Sequence, residues 1–572
     1  MDIMSVAAPN QSGAQAFIAA LQRHGVKIMF GQSIPSLFYL AAPEFGIDQI
    51  TYRTENAGAV MADAYARISG KVAVVTAQNG PAATLLVAGL AEALTASIPV
   101  VALVQEVAAL NRDRNAFQEL DQLELFKGCS KWLKRVDDAR RIDDYVDMAF
   151  RAAASGRPGP AVLLCPIDLI ERASVASSGR HDNLGSYPLD RPVADPAAIA
   201  EAADLLAAAD HPFVWAGGGI HSSRAWAELA ALQETAHLPV ATTTMGKGAI
   251  DESHPLSMGV IGYYMGTGGA TRHLRAMIDR ADVILAVGNR TNQNGTDSWT
   301  LLPAGARLVH IDIDPMEIGR NYEAVRLVGD ARATLAALKK ALAKRDLSKR
   351  QAARASTEAE ISVARLKHRD EKAPMATSSA EPIRPERLMA ELDLVLTEDH
   401  IVVADASYAS IWICNNLASR KAGMRFLTPR GMAGLGWGLP MALGAKLARP
   451  EAPVFALVGD GGFAHVWSEL ETARRHGLHV VVTVLNNQIL GYQKHAEDAR
   501  YGNHTGAVYF TPVDHAAIAR ACGCRGVTVS EAADYRDALK DAFKATAEAT
   551  TVIDVMVDPD AHPPITAFEK KK

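Results

Sequence analysis

The stretch from Pro453 to Gln488 admits few folds. Pro453-Val454-Phe455-Ala456-Leu457-Val458 is an apolar run of strand length, and Gly459-Asp460-Gly461-Gly462 follows it as a turn. Phe463, Val466, Trp467, Leu470 and Ala473 then recur at helical spacing, Gly477 supplies a stop, and His479 to Leu485 is a second apolar run. The order is strand, turn, helix, strand. Such a unit presents its ligands at the carboxyl ends of its strands, where Asp460 and Asn487 both emerge. A carboxylate, an amide oxygen and a nearby backbone carbonyl, that of Ile489, are hard oxygen donors. Such a set holds Mg²⁺ while leaving it open to phosphate oxygens. Gly459, Gly461 and Gly462 allow close backbone approach to a diphosphate, and the helix start there offers amide N–H groups and the positive end of its dipole. A Gly-Asp-Gly turn taken alone serves equally well as a helix cap.

The spacing adds to this. Asp460 is followed, 27 positions on, by the second residue of Asn486-Asn487 at a strand end. That pattern resembles the thiamine diphosphate motif of the acetolactate synthase and 2-oxo acid decarboxylase superfamily. A second segment supports the resemblance: Arg53-x-Glu55, followed by Ala62-Asp63-Ala64-Tyr65-Ala66-Arg67, is similar to the family's R-H-E-Q and G-Y-A-R segments. The resemblance makes Glu55 the carboxyl that hydrogen-bonds the aminopyrimidine ring and favours the imino tautomer that activates the coenzyme. Read from its position alone, Glu55 is a helix N-terminal carboxylate stabilised by the dipole. Gln78 to Thr84 is similar to the family's T-S-G-P-G-A-T loop, and Ala116-Phe117-Gln118-Glu119 to its A-F-Q-E. In the family that Phe and Gln approach the active site of the neighbouring subunit. The alternative for Gln118 is the solvent face of an amphipathic helix start.

The rest of the chain alternates helix and strand. Its 572 residues suggest three or four domains, and 49% hydrophobic with 22% charged residues marks an ordinary globular chain. A net charge of −5 leaves no basic footprint for nucleic acid, and no apolar run reaches membrane-span length. Met1 to Gly13 lacks the apolar core of a signal peptide, so a cytoplasmic location is expected. The five cysteines are too scattered for a disulfide framework. The expected fold is α/β, three doubly wound parallel-sheet domains. These are a pyrimidine-binding domain over 11–180, a central Rossmann-like domain over 195–345 and a diphosphate- and Mg²⁺-binding domain over 385–560. Ser174 to Asp195 reads as a linker, and 346–384 as a second linker that begins as a charged, alanine-rich helix.

In the central domain Gly218 and Gly219, Arg290 and Asp312 end predicted strands and suit nucleotide contact. By resemblance this domain holds FAD, as in acetolactate synthases, or ADP, as in oxalyl-CoA decarboxylase; in many relatives it holds nothing. In the third domain Gly431 to Pro440 is glycine-dense. The resemblance makes Leu435 the wedge that bends the coenzyme and the Ala433 carbonyl the acceptor of its 4′-amino group. A glycine-rich helix entry explains the glycines equally well.

The departures from acetolactate synthases gather around the substrate. Thr54 and Asn56 replace the His and Gln of R-H-E-Q, Ile167 replaces the lysine of P-K-D, and Tyr492-Gln493 replaces an apolar pair after Asn-Asn. With Phe117, Tyr492 and Gln493 line the expected substrate pocket, which suits a substrate rich in hydrogen-bonding groups. The resemblance implies a carboligase or decarboxylase for a 2-oxo acid, working by C2-ylide attack and an enamine, in a homodimer or homotetramer with the coenzyme between subunits. A 2-hydroxyacyl-CoA lyase or oxalyl-CoA decarboxylase, with an acyl-CoA substrate, is the alternative enzyme. A non-catalytic nucleotide-binding regulator is the alternative of another class.

Overall fold

A computed structural model of the chain describes residues 11–175 and 181–569. The readings of Met1 to Asn10 and of the middle of the 174–195 linker fall outside the described residues. The chain forms two compact units. One comprises the chain up to Leu189 with Gly431–Pro450 and Ser468–Leu478; the other comprises Asp190–Arg430, Glu451–Trp467 and the chain from His479.

Three six-stranded sheets carry the fold, and every strand pair in them is parallel. Parallel strands need crossover helices on both faces, which is why central strands such as Ala73–Ala77, Ala161–Pro166 and Val283–Val287 are buried throughout. Numbered along the chain, the strands of the first sheet (28–166) lie in the order 2-1-3-4-6-5. The third sheet (401–556) repeats that order. The central sheet (213–328) runs 3-2-1-4-5-6, the order whose switch point falls between strands 1 and 4. The three doubly wound α/β sheets are thus as the sequence led us to expect, and the first and third share one strand order.

Most strands fall within two residues of the expected positions. The outer strands Trp132–Arg135, Ala324–Val328 and Arg525–Val529 carry no expectation, because partial exposure lets them hold charge and breaks the apolar signal. Thr551–Met556 is buried but interrupted by Asp554, whose carboxylate accepts from Asn486 Nδ2 (3.1 Å) and His515 N (2.8 Å). One further correction applies. The helix expected between Phe463 and Ala473 is two short helices, Asp460–Ala464 and Glu469–Arg475, because the chain passes from one unit to the other at Ser468. A five-residue helix contributes little dipole at Asp460. The strand before Glu55 is only Asp48–Ile50, and the following helix begins at Glu55 itself. The second linker opens with one long helix, Ser348–Ala376. No helix among the described residues is long and apolar enough to cross a membrane.

The second unit buries neutral histidines. Burial holds His310 and His400 down at about 4, and His221 well below its ordinary value. His221 Nδ1 accepts from Trp226 Nε1 (2.9 Å), so its Nε2 carries the proton and donates to the Lys247 carbonyl (3.0 Å). Between pH 6.5 and 4 the unfolded chain binds protons that these imidazoles refuse, so stability is present above the unfolded pKa and falls on acidification. His310→Gln should flatten that loss by about 2–3 kcal/mol, read from urea midpoints between pH 7.5 and 4.5.

Candidate active site

Strands Val454–Gly459 and Val481–Asn486 are hydrogen-bonded neighbours, with Gly459 opposite Leu485, so Asp460 and Asn487 leave the sheet side by side. Asp460 is 6% exposed. Its Oδ1 accepts from Gly461 N (2.8 Å) and its Oδ2 from Gln488 N (2.7 Å). Each oxygen keeps a lone pair. Burial raises the Asp460 pKa to about 6, against the pull of those N–H groups. Asn487 Oδ1 accepts only a long bond from Ile489 N (3.3 Å). The preceding Asn486 is structural: its Nδ2 is taken by Asp554 and the Val513 carbonyl. Among the described residues no three His, Cys, Asp or Glu side chains gather as a metal cage. One carboxylate with amide and carbonyl oxygens still suits a cation that draws its remaining ligands from phosphate. A cavity of about 250 Å³ opens beside Asp460, bounded by Gly461, His465, Trp467, Phe510 and His515.

Glu55 is the first residue of helix Glu55–Ser69, whose cap Thr54 accepts from Ala57 N (3.3 Å). Glu55 is 7% exposed, and burial raises its pKa, so the carboxyl is readied to hold or share a proton. The turn before it is held by Glu469, a fully buried carboxylate that the sequence reading missed. Glu469 accepts from Arg53 N (3.1 Å), Thr54 N (3.1 Å) and Thr472 Oγ1 (2.7 Å). His476 adds a bond to Thr51 N (3.0 Å). The segment between the two halves of the Asp460–Asn487 motif therefore folds with Glu55.

Gln118 is not at a helix start. It lies in a loop at φ +58°, and the helix begins at Gln122. Gln78 Nε2 donates to its side-chain oxygen (2.8 Å) and Asn79 Nδ2 to its carbonyl (3.0 Å). Gly80 is required there, since a Cβ would sit 2.8 Å from the Gln118 carbonyl. Phe117 beside it is 86% exposed.

Gly431 to Trp437 is a loop ahead of helix Gly438–Ala448. Ala433 sits at φ +59°, where a side chain is strained, and Leu435 is partly exposed beyond it. A second missed carboxylate ties this loop down. Glu92, fully buried, accepts from Gly431 N (2.9 Å), Met432 N (2.5 Å) and Arg67 Nη2 (3.2 Å). Its one visible sign was a lone charge in the apolar helix Pro81–Ala96.

Three family models cover this architecture. The N-terminal thiamine pyrophosphate binding domain matches 11–125, the thiamine pyrophosphate enzyme central domain matches 199–338 and the C-terminal thiamine pyrophosphate binding domain matches 405–555. The chain belongs to the thiamine pyrophosphate enzymes. It is 32% identical to a probable acetolactate synthase large subunit of Methanocaldococcus jannaschii, over 96% of this chain and 92% of that one. It is 33% identical to an acetolactate synthase large subunit of Parasynechococcus marenigrum, over 91% and 84%. It is 31% identical to the acetolactate synthase isozyme 2 large subunit of Escherichia coli, over 84% of each. Within the family this chain is an acetolactate synthase-like, thiamine diphosphate-dependent enzyme.

The central domain of this thiamine pyrophosphate enzyme sets Gly217–Gly219 and Gly288–Arg290 at the switch point of its sheet. Gly219 N donates to the Gly288 carbonyl (3.0 Å), and a Cβ on Gly217 or Gly219 would strike that backbone, so those two glycines have a packing role. Gly218 has more room, its Cβ meeting Met245 at 3.2 Å. Arg290 pairs with Glu317 (3.3 Å), and Asp312 accepts from Asp314 N (2.9 Å). Asn289 Nδ2, beside Arg290, is buried without a partner. In the third domain Tyr492 packs on Tyr408 and Phe568. Gln493 is exposed and donates to Glu497 (2.8 Å), so the structure turns it to the open face of its helix.

Two substitutions test this scaffold. Glu469→Ala leaves two part-buried N–H groups without their acceptor and should cost about 1–3 kcal/mol in stability and at least tenfold in kcat, measured by urea unfolding and initial rates. Ala433→Val puts a β-branched residue at positive φ and should destabilise by about 1–2 kcal/mol, with Ala433→Gly near neutral in the same assay.

Proposed function

We propose that this enzyme is a cytoplasmic, Mg²⁺-dependent carboligase or decarboxylase for a 2-oxo acid, built as a homodimer or homotetramer. The observation that carries the reading is the paired emergence of Asp460 and Asn487 from adjacent strands, with donor oxygens left to spare. Asp460, the Asn487 amide oxygen and the Ile489 carbonyl hold Mg²⁺, and through it the diphosphate. When bound, the coenzyme supplies a carbon nucleophile and the electron sink for carbon–carbon bond cleavage and formation. Glu55 holds a proton against the ring nitrogen of the pyrimidine, a task that its burial favours. The Ala433 carbonyl orients the 4′-amino group, and the strain at that residue fits a carbonyl aimed at a ligand. Leu435 sets the bend of the coenzyme. Phe117, 86% exposed in the single chain, enters the neighbouring subunit with Gln118, and Tyr492 shapes the substrate pocket.

An adenine nucleotide, FAD or ADP, occupies the switch point of the central sheet, where the unpartnered Asn289 amide awaits an acceptor. Flavin bands in the visible spectrum of the purified protein distinguish FAD from ADP. Glu55→Gln should lower CO₂ release from 2-oxo acids at least 100-fold while the far-ultraviolet circular dichroism stays unchanged; activity within a few-fold of the parent refutes the role. Chelation should abolish activity and Mg²⁺ restore it, and Asp460→Ala should not respond to Mg²⁺.

A further inference from the structure

Several buried or half-buried cations of this chain have a carboxylate against them. Arg67 has Asp63 and Glu92, Lys247 has Glu252, and Arg135 has Glu106. Arg430 has none among the described residues. Its Nη2 donates to Ser410 Oγ, and that hydroxyl passes its own proton to the Ser407 carbonyl (2.9 Å). Its Nε is buried without a partner. The ionisable groups facing it are Tyr263, Tyr264, Cys414 and Tyr492. Burial pushes Tyr263, Tyr264 and Cys414 upward, which keeps them neutral. A half-buried guanidinium with only neutral groups around it is an unmet charge, and such a cost persists where a ligand offsets it.

Its place in the chain says which ligand. Arg430 immediately precedes the Gly431–Gly436 loop that carries Ala433 and Leu435, and it faces Tyr492, on the helix that follows Asn487 and Ile489. The carboxylate that leaves as CO₂ is a poor partner. An ion pair with it would be lost in the transition state, and an interaction stronger in the ground state slows the reaction.

We propose that Arg430 binds a second oxoanion of the substrate, a group at the end away from the reacting carbonyl, such as the distal carboxylate of a dicarboxylic 2-oxo acid. The proposal rests on the thiamine diphosphate reading of the site. Arg430 reads the oxoanion through its Nη hydrogens, a charge-assisted contact that suits carboxylate and sulfonate. Arg430 is a specificity-determining residue on this account, and a substrate lacking the distal anion leaves its cost uncompensated.

The test uses the protein loaded with thiamine diphosphate and Mg²⁺. CO₂ release is followed from pyruvate and from 2-oxoglutarate, 2-oxoadipate and sulfopyruvate, for the parent, Arg430→Met and Arg430→Lys. The parent should prefer an oxoanion-bearing substrate. Arg430→Met should lose on the order of 100-fold in kcat/KM for it, mostly through KM, while pyruvate changes less than threefold and Arg430→Lys falls between. Preference for pyruvate in the parent, or equal losses on all substrates, overturns the proposal. A second measurement needs no turnover. Glutarate should raise the melting temperature of the parent and not of Arg430→Met, whose ligand-free form should melt no lower than the parent because an unpaired charge has gone. Equal glutarate shifts overturn the proposal. Absence of turnover and of a coenzyme circular dichroism band defeats the thiamine diphosphate reading alone, and the glutarate comparison still decides Arg430.

Discussion

The structure depends on buried carboxylates that are satisfied by main-chain N–H groups. Glu469 takes Arg53 N and Thr54 N, Glu92 takes Gly431 N and Met432 N, and Asp460 takes Gly461 N and Gln488 N. Each pair of donors belongs to a loop that carries a residue of the site. Burying an ionised carboxylate is costly, and two short N–H bonds from one loop offset that cost only in one backbone conformation. The acids therefore specify loop shape more sharply than apolar packing would. Where Glu92 also meets Arg67, the same acid joins helix Glu55–Ser69 to the loop that ends in Leu435.

This device answers a constraint of the fold. In a doubly wound sheet the residues that act lie in loops beyond the strand ends, while rigidity resides in the sheet. The first and third sheets share one strand order, yet one presents a protonatable carboxyl at Glu55 and the other a pair of oxygen donors at Asp460 and Asn487. A common architecture thus supports two unlike tasks, because the tasks reside in loops and the loops are individually pinned. The central sheet has the other strand order, with its switch point at the backbone contact between Gly219 and Gly288.

Arg430 shows the reverse arrangement, a charge for which the chain provides a neutral lining in place of an opposite charge. Tyr492, on the helix that follows Asn487, is among the groups around it.

The sequence by itself determined the elements and the motif. Apolar runs such as Val283–Val287 and Ile401–Ala404 were legible because strands buried on both faces admit little else. The placing of Asp460 and Asn487 at neighbouring strand ends was legible because a turn there needs few residue types and their spacing is specific, whereas Glu55 was singled out only by resemblance. Exposed outer strands were not legible, since their charges mask the pattern. Only the tertiary structure decided which carboxylates are buried, that Ser468–Leu478 folds with Glu55, that Gln493 turns outward, and that Arg430 meets no carboxylate among the described residues. The physical reason is range. Periodicity reports what a residue does to its neighbours within one element, whereas desolvation and pairing of a charge depend on groups hundreds of residues away, as Glu92 depends on Gly431.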